Sequence, residues 1–395
     1  MISVHQLSTE LQLLILLSYP NAATLWPERI AALIPLINQA HFIRLVRYHR
    51  VAMAVNRNLS SSWRQLFSAV FLIQLEKIAL QQKQQVMQQY LQQSQLQKIF
   101  NEAGISHRVF KGLALSQQLY GDLGWRFSRD IDLLIHAHDR ERAVNISRQL
   151  GYVSEFDTLP IGALGTRMRM ALKKDTCLKN VGGTIIELHV RLDCSDSQFS
   201  RFMTDFFLAK QSGFSVAEFV YLCVHAAKSQ CHRVKWLIDV AVYAAELQKQ
   251  SQNWYDEAVV FSKQYGVLPQ FRQMVQLVDM TFKGSLINYN MVPYPNDKRA
   301  IHAVFLSWEQ AALSNRADWK SIAKPFFIES NLSDSLKLAI NFMFSPNDHD
   351  VKVLNTLPLP LNYLFVPLLP VYKIARFSIR FVSLKIGKRN HESAT

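Results

Sequence analysis

Strand-forming sequence in this chain is confined to one stretch, roughly residues 104–195, and helical periodicity fills what lies on either side. That confinement limits the fold more than any other feature. A chain of 395 residues with one strand-rich segment builds only a small sheet, and most of its core is helix packed on helix. The expectation is an α+β architecture, with a small mixed-sheet core inserted between helical N- and C-terminal domains. The boundaries fall at 1–103 (helical), 104–195 (mixed core), 196–350 (helical) and 351–395 (a basic, apolar tail).

Within the mixed segment, "ISHRVFK" after Gly104 reads as a strand and "GLALSQQLY" from Gly112 as a helix. "DIDLLIHA" is the next strand and "DRERAVNISRQLGY" the next helix. "DTCLKN" and "TIIELHVRL" flank "VGG", which predicts a hairpin turning at Val181–Gly183. Upstream, Pro27 suits the first turn of a helix. The Gln-rich run "QQKQQVMQQYLQQSQLQKIF" reads as one long solvated helix, with Val86, Tyr90, Leu91, Leu96 and Phe100 as its apolar stripe.

The chemistry concentrates at Asp130 and Asp132. Residues i and i+2 of a strand share a face, so the two carboxylates sit side by side and repel unless a proton or a cation intervenes. A bare D-x-D is weak evidence, and the chain holds a second one, Asp348 and Asp350 in "SPNDHDVK". That pair lies among turn formers and reads as solvated loop. Asp130 and Asp132 differ because "LLI" continues them into a buried strand. Glu187 lies in the apolar strand "TIIELHV", where a buried carboxylate needs a partner. If the two strands are neighbours, the three acids converge on a site for a hard cation: Mg²⁺, or alternatively Mn²⁺. Gly112 lies between a strand and a helix, where free N–H groups favour phosphate, and Lys111 precedes it. Arg126 and Arg129 are either phosphate contacts or solvated loop arginines. His189 shares the face of Glu187 and is either a site residue or a structural hydrogen-bonding group.

Lys and Arg outnumber Asp and Glu by 44 to 30, a net charge of +14 that suits anionic partners without choosing among nucleotides, nucleic acid, phospholipid surfaces and anionic glycans. The cysteines, Cys177, Cys194, Cys223 and Cys231, include no C-x-x-C and read as thiols of a reducing compartment. The N-terminus lacks a basic n-region and a cleavage site, so the expected location is cytoplasmic.

The order of strand, glycine at a helix start, D-x-D and later acid resembles the polymerase-beta nucleotidyltransferase superfamily. More closely, "FKGLALSQQLYGDLGWRFSRDIDLLI" and "IIELHVRL" resemble a bacterial nucleotidyltransferase-like family with a K-G-x-A-L…D-I-D-L-L…I-E-L-H signature. "VHAAKSQCHRVKWLIDVA" is similar to that family's helical region at His225, Lys228, Trp236 and Asp239. The resemblance implies that Asp130, Asp132 and Glu187 are catalytic acids and metal ligands, and that Lys111 and Gly112 grip an NTP. It also implies transfer of a nucleoside monophosphate to an acceptor hydroxyl, with an associational hint of surface-polysaccharide biosynthesis. This chain departs from the superfamily's Gly-Ser step, because Leu113 follows Gly112. His225 and Asp239 read as ties between helices, and Trp236 as core.

Two rivals remain: a D-x-D glycosyltransferase using a nucleotide-sugar, and a noncatalytic NTP-binding or scaffold protein. The acceptor is unidentified, and nucleic acid stays among the candidates. In the tail, Pro358, Pro360, Pro367 and Pro370 interrupt an apolar run. A basic amphipathic pattern follows, so residues 357–389 either lie on an anionic membrane surface or pack on the protein.

Overall fold

The computed structural model describes residues 7–154, 164, 173–192, 197–209, 213–282, 304–305, 307–309, 343–344, 348–358, 361 and 363–376. Seven helices come first: α1 (Thr9–Ser18), α2 (Ala22–Leu25), α3 (Pro27–Leu33), α4 (Gln39–His49), α5 (Ala52–Asn58), α6 (Ser61–Arg64) and α7 (Ala69–Glu102). Pro27 occupies the first turn of α3, as expected. Side-chain caps start several others: Ser8 accepts from the Leu11 amide, Asn38 from His41 and Ser68 from Phe71.

The Gln-rich run is helical throughout, inside α7, but its buried stripe differs from the expected one. Tyr90 and Leu91 are exposed, at 42% and 65%. Val86, Gln89, Gln93, Leu96 and Phe100 face inward instead. These five repeat at alternating steps of three and four, and that spacing keeps one face of a helix against its neighbours. Two glutamines fill core positions because geometry, not polarity, assigns the face.

The sheet follows: β1 (His107–Val109), α8 (Gly112–Tyr120), β2 (Asp130–Ile135), α9 (Arg140–Gln149), β3 (Asp175–Lys179) and β4 (Ile185–His189). Its order is β1-β2-β4-β3, with β2 parallel to β4 and the other pairs antiparallel. This is the small mixed sheet of an α+β fold, and the hairpin at Val181–Gly183 is present, with Gly183 left-handed at φ 84°. Period-2 alternation divides the two central strands. Ile131, Leu133, Ile135, Ile186 and Leu188 pack with Leu96 and Phe100 of α7 and Ala143 and Val144 of α9. Asp130, Asp132, Glu187 and His189 belong to the opposite face.

Five further helices complete the main body: α10 (Gln198–Ala209), α11 (Val216–Lys228), α12 (Val234–Gln250), α13 (Trp254–Gln264) and α14 (Leu268–Phe282). One continuous apolar core joins α1, α4, α5 and the start of α7 to α10–α14. The acid-bearing face of the sheet therefore lies within helical walls drawn from both ends of the chain.

The second D-x-D is not a solvated loop. Asp348 opens helix α15 (Asp348–Thr356), and Asp350 is fully buried beside Lys373 Nζ at 3.4 Å and Arg376 Nη1 at 3.5 Å. Turn-forming neighbours hid this pairing because its cations lie more than twenty residues downstream. Residues 363–376 are helical, and residues 377–395, Arg380 among them, lie outside the described residues, as does Cys194. Among the described residues no helix is long and apolar enough to cross a membrane.

Candidate active site

The parallel pairing of β2 with β4 sets Asp132 opposite Glu187, and Leu134 opposite His189. Three side chains converge there. His189 Nε2 lies 2.9 Å from Asp132 Oδ1 and 3.2 Å from Glu187 Oε2. One ligand atom from each of Asp132, Glu187 and His189 falls within 4.8 Å of the others, a spacing that a single ion can span. Asp132 and His189 are buried and Glu187 is partly exposed, so the cluster opens on its Glu187 side.

Lys111 Nζ approaches Asp132 Oδ1 to 3.8 Å and sits over the Phe110 ring at 4.7 Å. Burial alone would raise the Asp132 carboxyl. The Lys111 charge and the His189 hydrogen bond outweigh it and hold the group well below the usual carboxylate range. Asp130 shows the opposite balance. Burial first, then the charges of Asp132 and Glu187, push its carboxyl above the usual range, against a weaker pull from Lys235. Asp130 stays outside the three-residue cluster and accepts a hydrogen bond from Ser128 Oγ at 3.0 Å.

Gly112 adopts φ +55°, which an L side chain adopts only under strain. A Cβ there would lie 3.5 Å from the Asp130 carbonyl and 3.7 Å from Ser128 Oγ. Those distances are ordinary contacts, so it is the left-handed backbone and not space that calls for glycine where the start of α8 lies against the start of β2. A serine is missing after Gly112 in the sequence, but the Ser128 hydroxyl stands next to this turn.

Arg126 and Arg129 part company. Arg129 is exposed at the head of β2. Arg126 is buried and donates from Nε to Asp239 Oδ2 at 2.6 Å, while Tyr120 donates to Asp239 Oδ1 at 2.8 Å. Asp239 therefore ties α12 to α8 and to the loop before β2. Arg126 spends Nε on that tie, while its buried Nη1 has no hydrogen-bond partner among the described residues.

Several residues near the site carry no signal in the linear sequence. Asp175 pairs in register with His189, and its Oδ2 lies 3.9 Å from His189 Nδ1. Arg50 ends α4, and Arg233 and Lys235 begin α12, yet the charges of Arg50 and Lys235 both reach Asp130. Arg50 and Phe127 also line an open groove between α4 and α7, with Arg44, Arg47, Lys77 and several α7 glutamines. These positions lie far apart in the chain, and only the fold gathers them.

Residues 35–283, more than half of the chain, match the family described as "Uncharacterised nucleotidyltransferase". Neither a curated protein nor a solved structure shows a match to the chain. With a compact mixed sheet that carries an Asp–Glu–His cluster inside the matched region, the chain belongs to this nucleotidyltransferase family.

Proposed function

We propose that the protein transfers a nucleoside monophosphate from an NTP to an acceptor hydroxyl. The acceptor oxygen bonds to the α-phosphorus, the bond from that phosphorus to the α–β bridging oxygen breaks, and pyrophosphate leaves. The single observation behind this reading is the β2–β4 register, which sets Glu187 beside Asp132 within a matched nucleotidyltransferase region. Carboxylate oxygens suit Mg²⁺, and the imidazole beside them also suits Mn²⁺. The donor set fits a divalent cation held by Asp132 and Glu187, with His189 adjoining and Asp130 completing the acidic face. Such an ion, when bound, supplies positive charge to the phosphate oxygens. Glu187, partly exposed beside the buried Asp132, takes up the proton that the acceptor hydroxyl gives off. Lys111 holds Asp132 in its charged form, and the amides after Gly112 face phosphate. Arg129, exposed at the head of β2 and without a salt bridge among the described residues, faces it.

The division into 1–103, 104–195, 196–350 and 351–395 is part of the same proposal, as is an acceptor from surface-polysaccharide metabolism. Incubating cell extract with the protein, Mg²⁺ and isotope-labelled NTPs, followed by mass spectrometry, tests the reaction. A nucleotide-sized mass gain on one acceptor is expected, and its loss in the Asp130→Asn, Asp132→Asn double variant. Unchanged turnover in that variant would remove the reading. A noncatalytic role has one observation in its favour, since Lys111 and His189 already supply cationic or hydrogen-bonding partners to Asp132. Binding of NTP with Mg²⁺ but no pyrophosphate release on any acceptor would select it.

A further inference from the structure

We propose that Arg50, Arg129, Arg233 and Lys235 form a polyphosphate-binding site that holds the triphosphate of the NTP on the Asp130 side of the acid cluster. The proposal rests on the nucleotidyltransferase reading and adds to it residues from both helical regions of the chain. Arg50 comes from the end of α4, Arg129 from the head of β2, and Arg233 and Lys235 from the start of α12.

These four cations oppose one another. The charge of Arg129 acts against Arg50, those of Arg50 and Arg129 act against Arg233, and that of Arg50 acts against Lys235. Among the described residues, none of the four forms a salt bridge with a carboxylate. The contacts that position them are neutral. Arg233 lies over the Tyr48 ring at 4.6 Å, and Lys235 Nζ donates to the Phe127 carbonyl at 3.0 Å. Asp130 acts on Arg50 and Lys235 through space, and Asp239 acts on Lys235, yet the four cations outnumber these two carboxylates and the surplus of like charge favours a bound anion.

Two helix C-terminal turns bring these residues in, closed by the Val51 amide on the Val46 carbonyl and the Cys231 amide on the Ala226 carbonyl. Arg50 is left-handed at φ 60°, and in the turn before Arg233 both Gln230 (φ 57°) and Cys231 (φ 41°) are left-handed. Arg233 and Lys235 also stand at the N-terminal end of a helix, where the dipole disfavours cations and favours anions. Arg50 reaches the open groove between α4 and α7, which gives an anion a way in. A triphosphate fits better than a polymer backbone: it concentrates several negative charges in a short span, and one end must reach Asp130. Among the described residues lining the groove, the aromatic ring is that of Phe127, which is buried and offers no face for bases to stack on.

Isothermal titration of the full chain with inorganic tripolyphosphate, in metal-free buffer, tests the site apart from any transfer reaction. Wild-type protein should bind, and more weakly as salt rises. Arg129→Gln, at an exposed position, should weaken binding about tenfold, as should Arg50→Gln and Arg233→Gln, a loss of about 1.4 kcal/mol each. Lys98→Gln, far along α7, should leave affinity unchanged, and circular dichroism confirms folding of each variant. Equal affinity in Arg129→Gln and the wild type, or orthophosphate binding as tightly as tripolyphosphate, overturns the proposal. Tripolyphosphate binding that depends on these residues, in a protein that never releases pyrophosphate, keeps the site and removes the transfer reaction instead.

Discussion

Asp130 and Asp132 share a strand face but occupy opposite electrostatic situations, and their variants should separate accordingly. Asp132 is held charged by Lys111 and His189, so Asp132→Asn leaves a buried cation without its partner. The expected loss is about 3–5 kcal/mol, read as a lower melting temperature. Asp130 is pushed up by burial and by its acidic neighbours. A carboxyl with a folded-state pKa above its unfolded value loses stability as pH rises through the window between the two. Asp130→Asn should therefore raise the melting temperature in metal-free buffer above that window and flatten its pH dependence there. On the proposed reading Mg²⁺ should stabilise the wild type through Asp132 and Glu187, and Asp130→Asn should reduce that stabilisation. A melting temperature unchanged by Asp130→Asn at every pH would contradict the repulsion invoked for this face. For Asp132 the sign reverses: its contribution is complete above the ordinary carboxylate range and is lost as pH falls below it.

At the level of elements, two features invite substitution. Gly112 links β1 to α8 with a left-handed backbone close to the Asp130 carbonyl. Gly112→Ala should cost about 1–2 kcal/mol in urea denaturation and weaken NTP binding, because the α8 amides move away from the acids. The long helix α7 buries Gln89 with its side-chain carbonyl unpaired among the described residues. Gln89→Leu removes that unsatisfied group at similar volume, so a gain of about 1 kcal/mol is expected in the same experiment. A loss of stability there would mean that the amide makes a hydrogen bond through an ordered water. Element types were largely legible from the sequence: the α8 segment and the hairpin follow glycine positions and apolar period. Which glutamines of α7 face inward was not, because propensity is the same on every face of a helix and only its neighbours choose the buried one.

The whole molecule brings both helical regions around one sheet face, and the tail adds a separate question. Helical residues 363–376 anchor through Lys373 to the buried Asp350, while Leu364, Leu368, Val371 and Ile374 are exposed. Their spacing at three and four residues lines them along one side of a helix. That observation serves both readings of residues 357–389: the cations are partly spent inside the protein, and an apolar face remains outside. If this face lies on an anionic membrane, full-length protein should float with anionic liposomes, less so at high salt, and a chain ending at Asn355 should not. Sedimentation of both without lipid would make the tail structural. Asp350→Asn offers a second check, since loss of the ion pair should loosen the tail and speed its proteolysis.

The sequence by itself determined the small sheet between helical regions, the face shared by Asp130 and Asp132, and the special backbone at Gly112. Each follows from local rules: period-2 alternation, 3.6-residue periodicity and the conformational freedom of glycine. It did not determine which charged residues meet. Asp132 joins Glu187 and His189 through a strand register, Arg126 turns inward to Asp239, and Asp350 finds Lys373. Arg50 reaches the charge field of Arg233 although α5–α11 lie between them in the chain. Such pairings depend on distances across the fold, and charge is felt through space within about a Debye length, not along the sequence. Only the tertiary structure decides them.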